Sequence, residues 1–176
     1  MSGQAPGKAT RVSGAGDTGK GMLMKTLEQL LRGHKFFQDL KPDYVALLVG
    51  CAANARFTER SFLLREGDTA DRFFLIREGM AAVEIAAPGR DPIVVQTLID
   101  GDVAGFSWLF GPRTYEFDVR ALTTVRAFQL DGVCLRDKCD QDPRFGYELM
   151  QRFAQIAVQR LQATRLRLLN MYTDAH

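Results

Sequence analysis

The stretch LREGDTADRFFLIREGMAAVEI, from Leu64 to Ile85, decides the fold. Two short apolar runs, RFFLI and MAAVEI, are separated by the dipeptide Glu78-Gly79, and Gly67 marks a turn upstream of them. Short apolar runs interrupted by glycine turns are typical of antiparallel strands. Glycine is the residue that adopts a positive φ without strain, so we expect positive φ at Gly67 and Gly79.

The same pattern extends outward from this stretch, over residues 55–130. The run IVVQTL precedes Asp100-Gly101, and the run TVRAFQL precedes Asp131-Gly132. Several short strands separated by turn residues at regular spacing indicate an antiparallel all-β unit. The central part of the chain is therefore predicted to be a roll or barrel.

Helical spacing flanks this β unit on both sides. Apolar residues recur three and four apart in residues 22–32, and a second helix is predicted from Pro42 to about Cys51. A short helix follows Gly132, and a long one runs from Pro143 to about Tyr172 with Asp142 as its N-cap. The fold class is thus α+β: an antiparallel, jelly-roll-like β-roll with N-terminal helices and a long C-terminal helix.

This pattern divides the chain into three segments. Residues 1–21 are rich in small and polar residues and are predicted to form a flexible tail. Residues 22–141 form the β-roll domain with its N-terminal helices, and residues 142–176 form the C-terminal helix. The heptapeptide GAGDTGK, from Gly14 to Lys20, fits GxxxxGK of a phosphate-binding loop. Gly21 replaces the hydroxyl residue that such a loop needs for magnesium, so we interpret this segment as part of the tail.

The long helix carries apolar residues in two stripes. One stripe is enough to pack on the β unit of the same chain, so the other is left for a partner helix. We therefore predict that it forms a homodimer through one stripe, and the alternative is a helix that folds back on its own domain. The predicted dimer-interface residues are Phe153, Ala157, Leu161, Thr164 and Leu168.

The composition of the chain argues against several classes of function. The 23 lysine and arginine residues nearly balance the 21 acidic ones, which argues against a general attraction to nucleic acid or anionic membrane. No apolar run approaches the roughly 20 residues of a membrane helix. The chain has three cysteines: Cys51, Cys134 and Cys139. Their number is odd and their spacing is not that of a metal site, so we expect reduced structural thiols in a cytoplasmic protein. No catalytic constellation and no metal ligands are found, so we expect no enzyme activity.

The residues quoted above resemble the cyclic nucleotide-binding domain family, in the form found in catabolite activator-type sensors. The turn at Gly67, the Ala70-Asp71 pair, the strand before Gly79 and the segment IDGDVAG up to Gly105 match that family's signature. The resemblance covers about Met22 to Tyr172, and it implies a β-roll with a phosphate-binding cassette.

In that family the cassette binds the nucleotide through two residues. A glutamate after the glycine accepts a hydrogen bond from the ribose hydroxyl, and an arginine pairs with the cyclic phosphate. Phe106 and Tyr115 stand at those two positions here, so the cassette is degenerate. A slip of two residues would instead bring Arg113 toward a phosphate, which stays open as an alternative. The predicted cassette residues are Gly105, Phe106, Ser107, Trp108, Arg113, Thr114 and Tyr115.

The resemblance is to stand-alone family members without a helix-turn-helix domain, such as the homodimeric accessory subunit of NAD-reducing hydrogenases. It implies a non-enzymatic, homodimeric regulatory or accessory subunit that needs no cofactor. Cyclic AMP and cyclic GMP are the candidate ligands, and the degenerate cassette argues against both. Its partners would be a second copy of the chain and another protein or enzyme complex. Neither a membrane nor DNA is expected as a partner. The alternative is a sensor of a small ligand, a cyclic nucleotide or another anion, that signals through its C-terminal helix. Trp108 would be either an interface anchor or part of the core.

Overall fold

The computed structural model describes residues 26–109 and 113–173. The helices are α1 (Leu27–Arg32), α2 (Pro42–Val49), α3 (Gly132–Gln141) and α4 (Pro143–Thr173), with short 3₁₀ helices at Lys35–Phe37 and Ser107–Leu109. The strands are β1 (Ala52–Phe57), β2 (Phe62–Leu64), β3 (Arg72–Glu78), β4 (Ala81–Ile85), β5 (Ile93–Leu98), β6 (Val103–Ala104), β7 (Asp118–Ala121) and β8 (Val125–Asp131). This order confirms the predicted α+β class.

The eight strands form two four-stranded antiparallel sheets. One sheet has the order β1-β8-β3-β6, and the other has the order β2-β7-β4-β5. Buried and more exposed residues alternate along β7, where Val119 and Ala121 are buried. Such alternation is what an antiparallel sheet with one covered face requires. The predicted β-roll is therefore confirmed, and it begins at Ala52, three residues earlier than expected.

The signature glycines adopt the expected backbone conformation. Gly67 has φ 83° and Gly79 has φ 91°. A Cβ atom added at Gly79 would collide with the backbone carbonyl oxygen of Thr124. Both conformation and space therefore require glycine at the β3–β4 turn.

The first N-terminal helix is shorter than predicted: α1 begins at Leu27 and ends at Arg32, whereas the prediction placed residue 26 inside the helix. Thr26 caps α1, since its Oγ1 accepts a hydrogen bond from Gln29 N and its own N donates to Gln29 Oε1. Residues 22–25 of the predicted first helix and the whole predicted tail, with its phosphate-loop-like segment, lie outside the described residues. The second helix ends at Val49, two residues before the predicted end, because Gly50 follows it and the chain enters β1 at Ala52.

The long helix α4 is confirmed over Pro143–Thr173. Asp142 Oδ1 accepts hydrogen bonds from the backbone N atoms of Arg144 and Phe145, which is the predicted N-cap. The chain divides into two compact units between Arg136 and Asp137, whereas the predicted boundary lay at residue 142. No helix in the described ranges is long and apolar enough to cross a membrane.

The expectation of three reduced thiols is wrong. Cys51 and Cys134 form a disulfide with a Cα–Cα distance of 5.7 Å, and Cys139 is the free cysteine. The two paired residues are 83 positions apart, and spacing alone could not connect them. The fold does so because β1, which follows Cys51, pairs with β8, which precedes Cys134.

His34 joins the segment after α1 to β3. Its Nδ1 accepts a hydrogen bond from Phe36 N at 3.1 Å, so Nε2 carries the proton and donates to Ile76 O at 2.9 Å. Burial lowers the pKa of His34, and the hydrogen bond to Ile76 only partly opposes this effect. The neutral imidazole is therefore part of the native structure.

We expect acidification to destabilise the fold through His34. The unfolded chain takes up a proton on this residue near pH 6.5 while the folded chain does not, so stability falls as the pH drops below that value. The loss is at most about 1.4 kcal/mol per pH unit. Denaturant unfolding between pH 7 and pH 5 measures it. His34→Gln keeps a donor for Ile76 O but does not titrate, so its profile should lack this slope; equal slopes in both proteins would contradict the assignment.

Candidate ligand cassette

The cassette begins where β6 ends. Gly105 follows β6 with φ 77°, and the 3₁₀ helix Ser107–Leu109 comes next. A Cβ atom added at Gly105 would lie 2.6 Å from Leu64 Cδ1 and 3.3 Å from Tyr115 Cε1. The glycine thus allows the ring of Tyr115 to approach the backbone of the cassette closely.

Tyr115 closes the other side of the cassette. Its side chain is only 6% exposed. The hydroxyl donates a hydrogen bond to Arg72 O at 2.7 Å, and Arg72 N donates to the hydroxyl oxygen at 3.3 Å. The main chain of Tyr115 also bonds to the turn before β3, since its N donates to Asp68 O and its O accepts from Gly67 N. Residue 115 is therefore fixed at both its side chain and its main chain.

The phenol of Tyr115 carries no charge at ordinary pH. Burial raises the pKa of Tyr115 to about 12, so the hydroxyl keeps its proton. Its one proton is already donated to the carbonyl of Arg72. Position 115 therefore offers an incoming anion neither positive charge nor a spare donor.

Phe106, Ser107 and Trp108 follow the glycine. Phe106 and Ser107 are half-buried. Trp108 is fully buried and stacks on Phe73, with ring centroids 5.2 Å apart and an interplanar angle of 8°. Trp108 is therefore part of the core and is not an exposed anchor of an interface.

Arg113 and Thr114 lie on the turn before Tyr115. Arg113 is exposed, has φ 63°, and accepts a hydrogen bond on its backbone O from Ala70 N at 2.7 Å. Thr114 forms an isolated antiparallel bridge with Thr69. Residues 110–112, which include Phe110 of the predicted aromatic cluster, lie outside the described residues. The arginine is thus held by its backbone at the edge of the cassette.

One charged residue beside the cassette was missed by the sequence analysis. Arg72 Nε and Nη2 donate to the two carboxylate oxygens of Asp71 at 2.7 and 3.0 Å. This ion pair lowers the pKa of Asp71, so the carboxylate stays charged and balances the guanidinium. The signal was available in the Ala70-Asp71-Arg72 sequence, where an acid precedes a base directly before the strand.

The predicted dimer-interface residues differ in their exposure. Phe153 is 1% exposed in the single chain, whereas Ala157, Leu161 and Thr164 are exposed. Thr164 Oγ1 donates to Arg160 O within the helix. The side chain of Leu168 lies outside the described part of the structure. Phe153 is therefore buried in the single chain, unlike the other three members of the set whose side chains are described.

The chain matches the family model of the cyclic nucleotide-binding domain over residues 55–142, which is half of its length. It is 23% identical over 149 residues to the CRP-like cAMP-activated global transcriptional regulator of Mycobacterium tuberculosis. That alignment covers 84% of this chain and 65% of the relative. The chain therefore spans just under two thirds of the length of the curated relative.

Solved structures show the same fold. A protein of Geobacter metallireducens assigned as a cyclic nucleotide-binding protein superimposes with a TM-score of 0.70 at 24% identity, covering 78% of this chain and 99% of that one. A cyclic nucleotide-binding domain of Methylobacillus flagellatus gives a TM-score of 0.69 at 20% identity, covering 81% of this chain and 80% of the other.

We expect Tyr115→Phe to destabilise the chain by about 1–2 kcal/mol, because it leaves the partly buried carbonyl of Arg72 without its donor. Tyr147→Phe is the matched control, since Tyr147 is exposed and its hydroxyl accepts a hydrogen bond from the exposed side chain of Gln151. Denaturant unfolding of both variants measures the difference. Equal stabilities would show that the Tyr115 hydroxyl does not hold the cassette.

Proposed function

Because the chain belongs to the cyclic nucleotide-binding domain family, we propose that it is a non-enzymatic, homodimeric regulatory or accessory subunit. Its cassette does not bind a cyclic nucleotide in the family's usual way. The observation that carries the proposal is the buried, neutral hydroxyl of Tyr115, which is bonded to Arg72 O.

The electrostatics of the cassette support this proposal. A cyclic phosphate that leaves water needs a positive charge and hydrogen-bond donors in return. Tyr115 supplies neither, and Phe106 has no oxygen to accept a bond from a ribose hydroxyl. The guanidinium of Arg72, whose backbone bonds to the Tyr115 hydroxyl, is already paired with the carboxylate of Asp71. A nucleotide would therefore lose its hydration without gaining the charge-assisted bonds that usually repay this loss.

The alternative function is a sensor for a small anion, which the exposure of Arg113 favours. Arg113 is an exposed residue two positions before Tyr115, and its backbone O accepts a hydrogen bond from Ala70 N. Such a sensor would hold an anion at the rim of the cassette rather than inside it. The C-terminal helix would carry the signal.

Self-association through α4 is the second part of the proposal. Ala157, Leu161, Thr164 and Leu168 follow spacings of four, three and four, which place them on one helical stripe. Leu161 is 50% exposed, and further large apolar side chains are exposed along the same helix: Val158, Leu166 and Leu169. Burial of such a stripe against a second copy would remove apolar surface from water. The interface proposed now omits Phe153.

A cytoplasmic location and a protein or enzyme complex as partner complete the proposal. The relative from Mycobacterium tuberculosis is described as a transcriptional regulator activated by cAMP. For the chain described here we propose that DNA is not a partner, since its 23 basic and 21 acidic residues nearly balance. Salt-sensitive binding to duplex DNA would contradict this part of the proposal.

Calorimetric titration with cyclic AMP and cyclic GMP tests the cassette. We expect no saturable heat at micromolar ligand, with the Mycobacterium tuberculosis regulator as the positive control for cyclic AMP. Saturable binding by the wild-type chain would refute the degenerate cassette. If that binding were then lost in Arg113→Ala, the anion-sensor alternative would be the correct function. In Phe106→Glu/Tyr115→Arg, once shown to be folded, we expect affinity to rise because both missing groups are restored.

Sedimentation of the full chain tests the dimer. We expect twice the mass of one chain, and we expect Leu161→Glu to shift it to the mass of one chain because a charge would enter an apolar interface. Gln159→Glu is the control, since it adds the same charge to an exposed position outside the predicted stripe. A monomeric wild type, or equal dissociation of the two variants, would contradict an interface at Leu161.

A further inference from the structure

We propose that Cys51 and Cys134 form a reversible thiol–disulfide couple that controls how firmly the first turn of α3 is held to the β-roll. Neither cysteine is one of the cassette residues proposed above, and the proposal does not depend on whether a nucleotide binds. It assigns to the molecule a sensitivity to thiol reductants and to disulfide oxidants.

The position of the pair gives the bond its effect. Cys51 follows α2 and leads directly into β1, and Cys134 lies in the first turn of α3. The Cα–Cα distance of 5.7 Å is in the ordinary range for a disulfide. The bond closes a loop across 83 positions, which includes all eight strands of the β-roll. It is therefore a covalent link between the beginning of the roll and the helix that follows its last strand.

Contacts other than the disulfide keep the two residues close. Asp131 N donates to Cys51 O at 2.9 Å, and Asp131 Oδ1 accepts from Cys134 N at 2.9 Å. Gly132 N donates to Asp71 O at 2.7 Å, and Arg136 Nη1 donates to Trp108 O at 2.8 Å. These bonds remain when the disulfide opens. The thiols consequently stay near each other, which gives the high effective concentration that re-formation of the bond requires.

The two sulfur-bearing residues differ in accessibility. Cys51 is 7% exposed, whereas Cys134 is half-buried. Because Cys134 is the more exposed residue of the two, we expect a reductant from solution to attack its sulfur first. A disulfide whose two residues were both fully buried would be reducible only after unfolding.

The exchange balances with a small dithiol as reductant. One thiolate of the dithiol attacks Sγ of Cys134, the Sγ–Sγ bond breaks, and Cys51 leaves as a thiolate that takes up a proton. The second thiol loses its proton and attacks the mixed disulfide, and Cys134 leaves and is protonated. The dithiol ends as its own disulfide, and two electrons have passed to the protein. Oxidised glutathione reverses the reaction and is itself reduced to two thiols.

The consequence of reduction falls on the first turn of α3. In the oxidised chain, residues 132–136 are held by the disulfide and by the hydrogen bonds named above. In the reduced chain only the hydrogen bonds remain, so this turn opens more often while the β ladders persist. Loss of the cross-link also frees the unfolded chain, which lowers the thermal midpoint by roughly 10 °C.

The experiment treats the full chain with dithiothreitol and then with oxidised glutathione, under native conditions. After an acid quench and denaturation, alkylation followed by mass measurement counts the thiols. We expect one label on the oxidised chain, three after reduction with native circular dichroism retained, and one again after re-oxidation. Amide exchange should become faster at residues 132–136 on reduction.

The matched variants separate the pair from the third cysteine. Cys139→Ser leaves the couple intact, so it should show the same shift in midpoint and exchange with no label on the oxidised chain. Cys51→Ser/Cys134→Ser should behave as the reduced chain and should not respond to dithiothreitol. The proposal is overturned if the bond resists dithiothreitol until the protein unfolds. It is equally overturned if oxidised glutathione does not form the bond, or if exchange at residues 132–136 is unchanged by reduction.

Discussion

The backbone of β3 and of the residue before it supplies acceptors on which the surrounding parts depend. Arg72 O accepts from the Tyr115 hydroxyl, and Ile76 O accepts from His34 Nε2. Asp71 O, one residue before the strand, accepts from Gly132 N. A buried carbonyl oxygen without a hydrogen-bond donor raises the free energy of the folded state. Each contact therefore both pairs a carbonyl of this segment and holds the donor residue in place. The N-terminal helical segment, the cassette and α3 are all fixed against this one stretch of chain.

The contact between Tyr115 and Arg72 also bears on the proposal that the cassette binds no nucleotide in the usual way. A buried arginine needs a counter-ion, and in a nucleotide-binding cassette the phosphate provides it. Without the phosphate, such a site holds an unpaired charge and is unstable. A tyrosine needs only one acceptor, which the chain itself provides. A tyrosine at this position therefore needs no bound anion as a counter-ion, which supports the proposal that the fold serves to bind another protein.

Local signals in the sequence were sufficient to predict turns and helix ends, whereas contacts between residues far apart in the chain could not be predicted from it. The glycines at 67 and 79 and the N-cap Asp142 each act within a few residues, so each was predicted correctly. The disulfide was missed because its partners meet only after β1 pairs with β8. The ion pair of Glu84 with Arg120 was missed for the same reason. Its carboxylate is 1% exposed, although glutamate in a short strand is normally expected at the surface.

The cassette and the disulfide are connected through contiguous residues of the β-roll unit. Tyr115 is bonded to Arg72, the neighbouring Asp71 accepts from Gly132, and Gly132 begins the helical turn that contains Cys134. Gly132 has no room for a side chain, since a Cβ atom there would lie 3.0 Å from both Asp71 O and Trp108 Cβ. Gly132 is therefore packed between the residue before β3 and the cassette residue Trp108, at the start of the first turn of α3. The thiol–disulfide couple that we propose for Cys134 would act on this same turn. The proposed loss of nucleotide binding and the proposed couple therefore concern neighbouring parts of one contiguous set of residues.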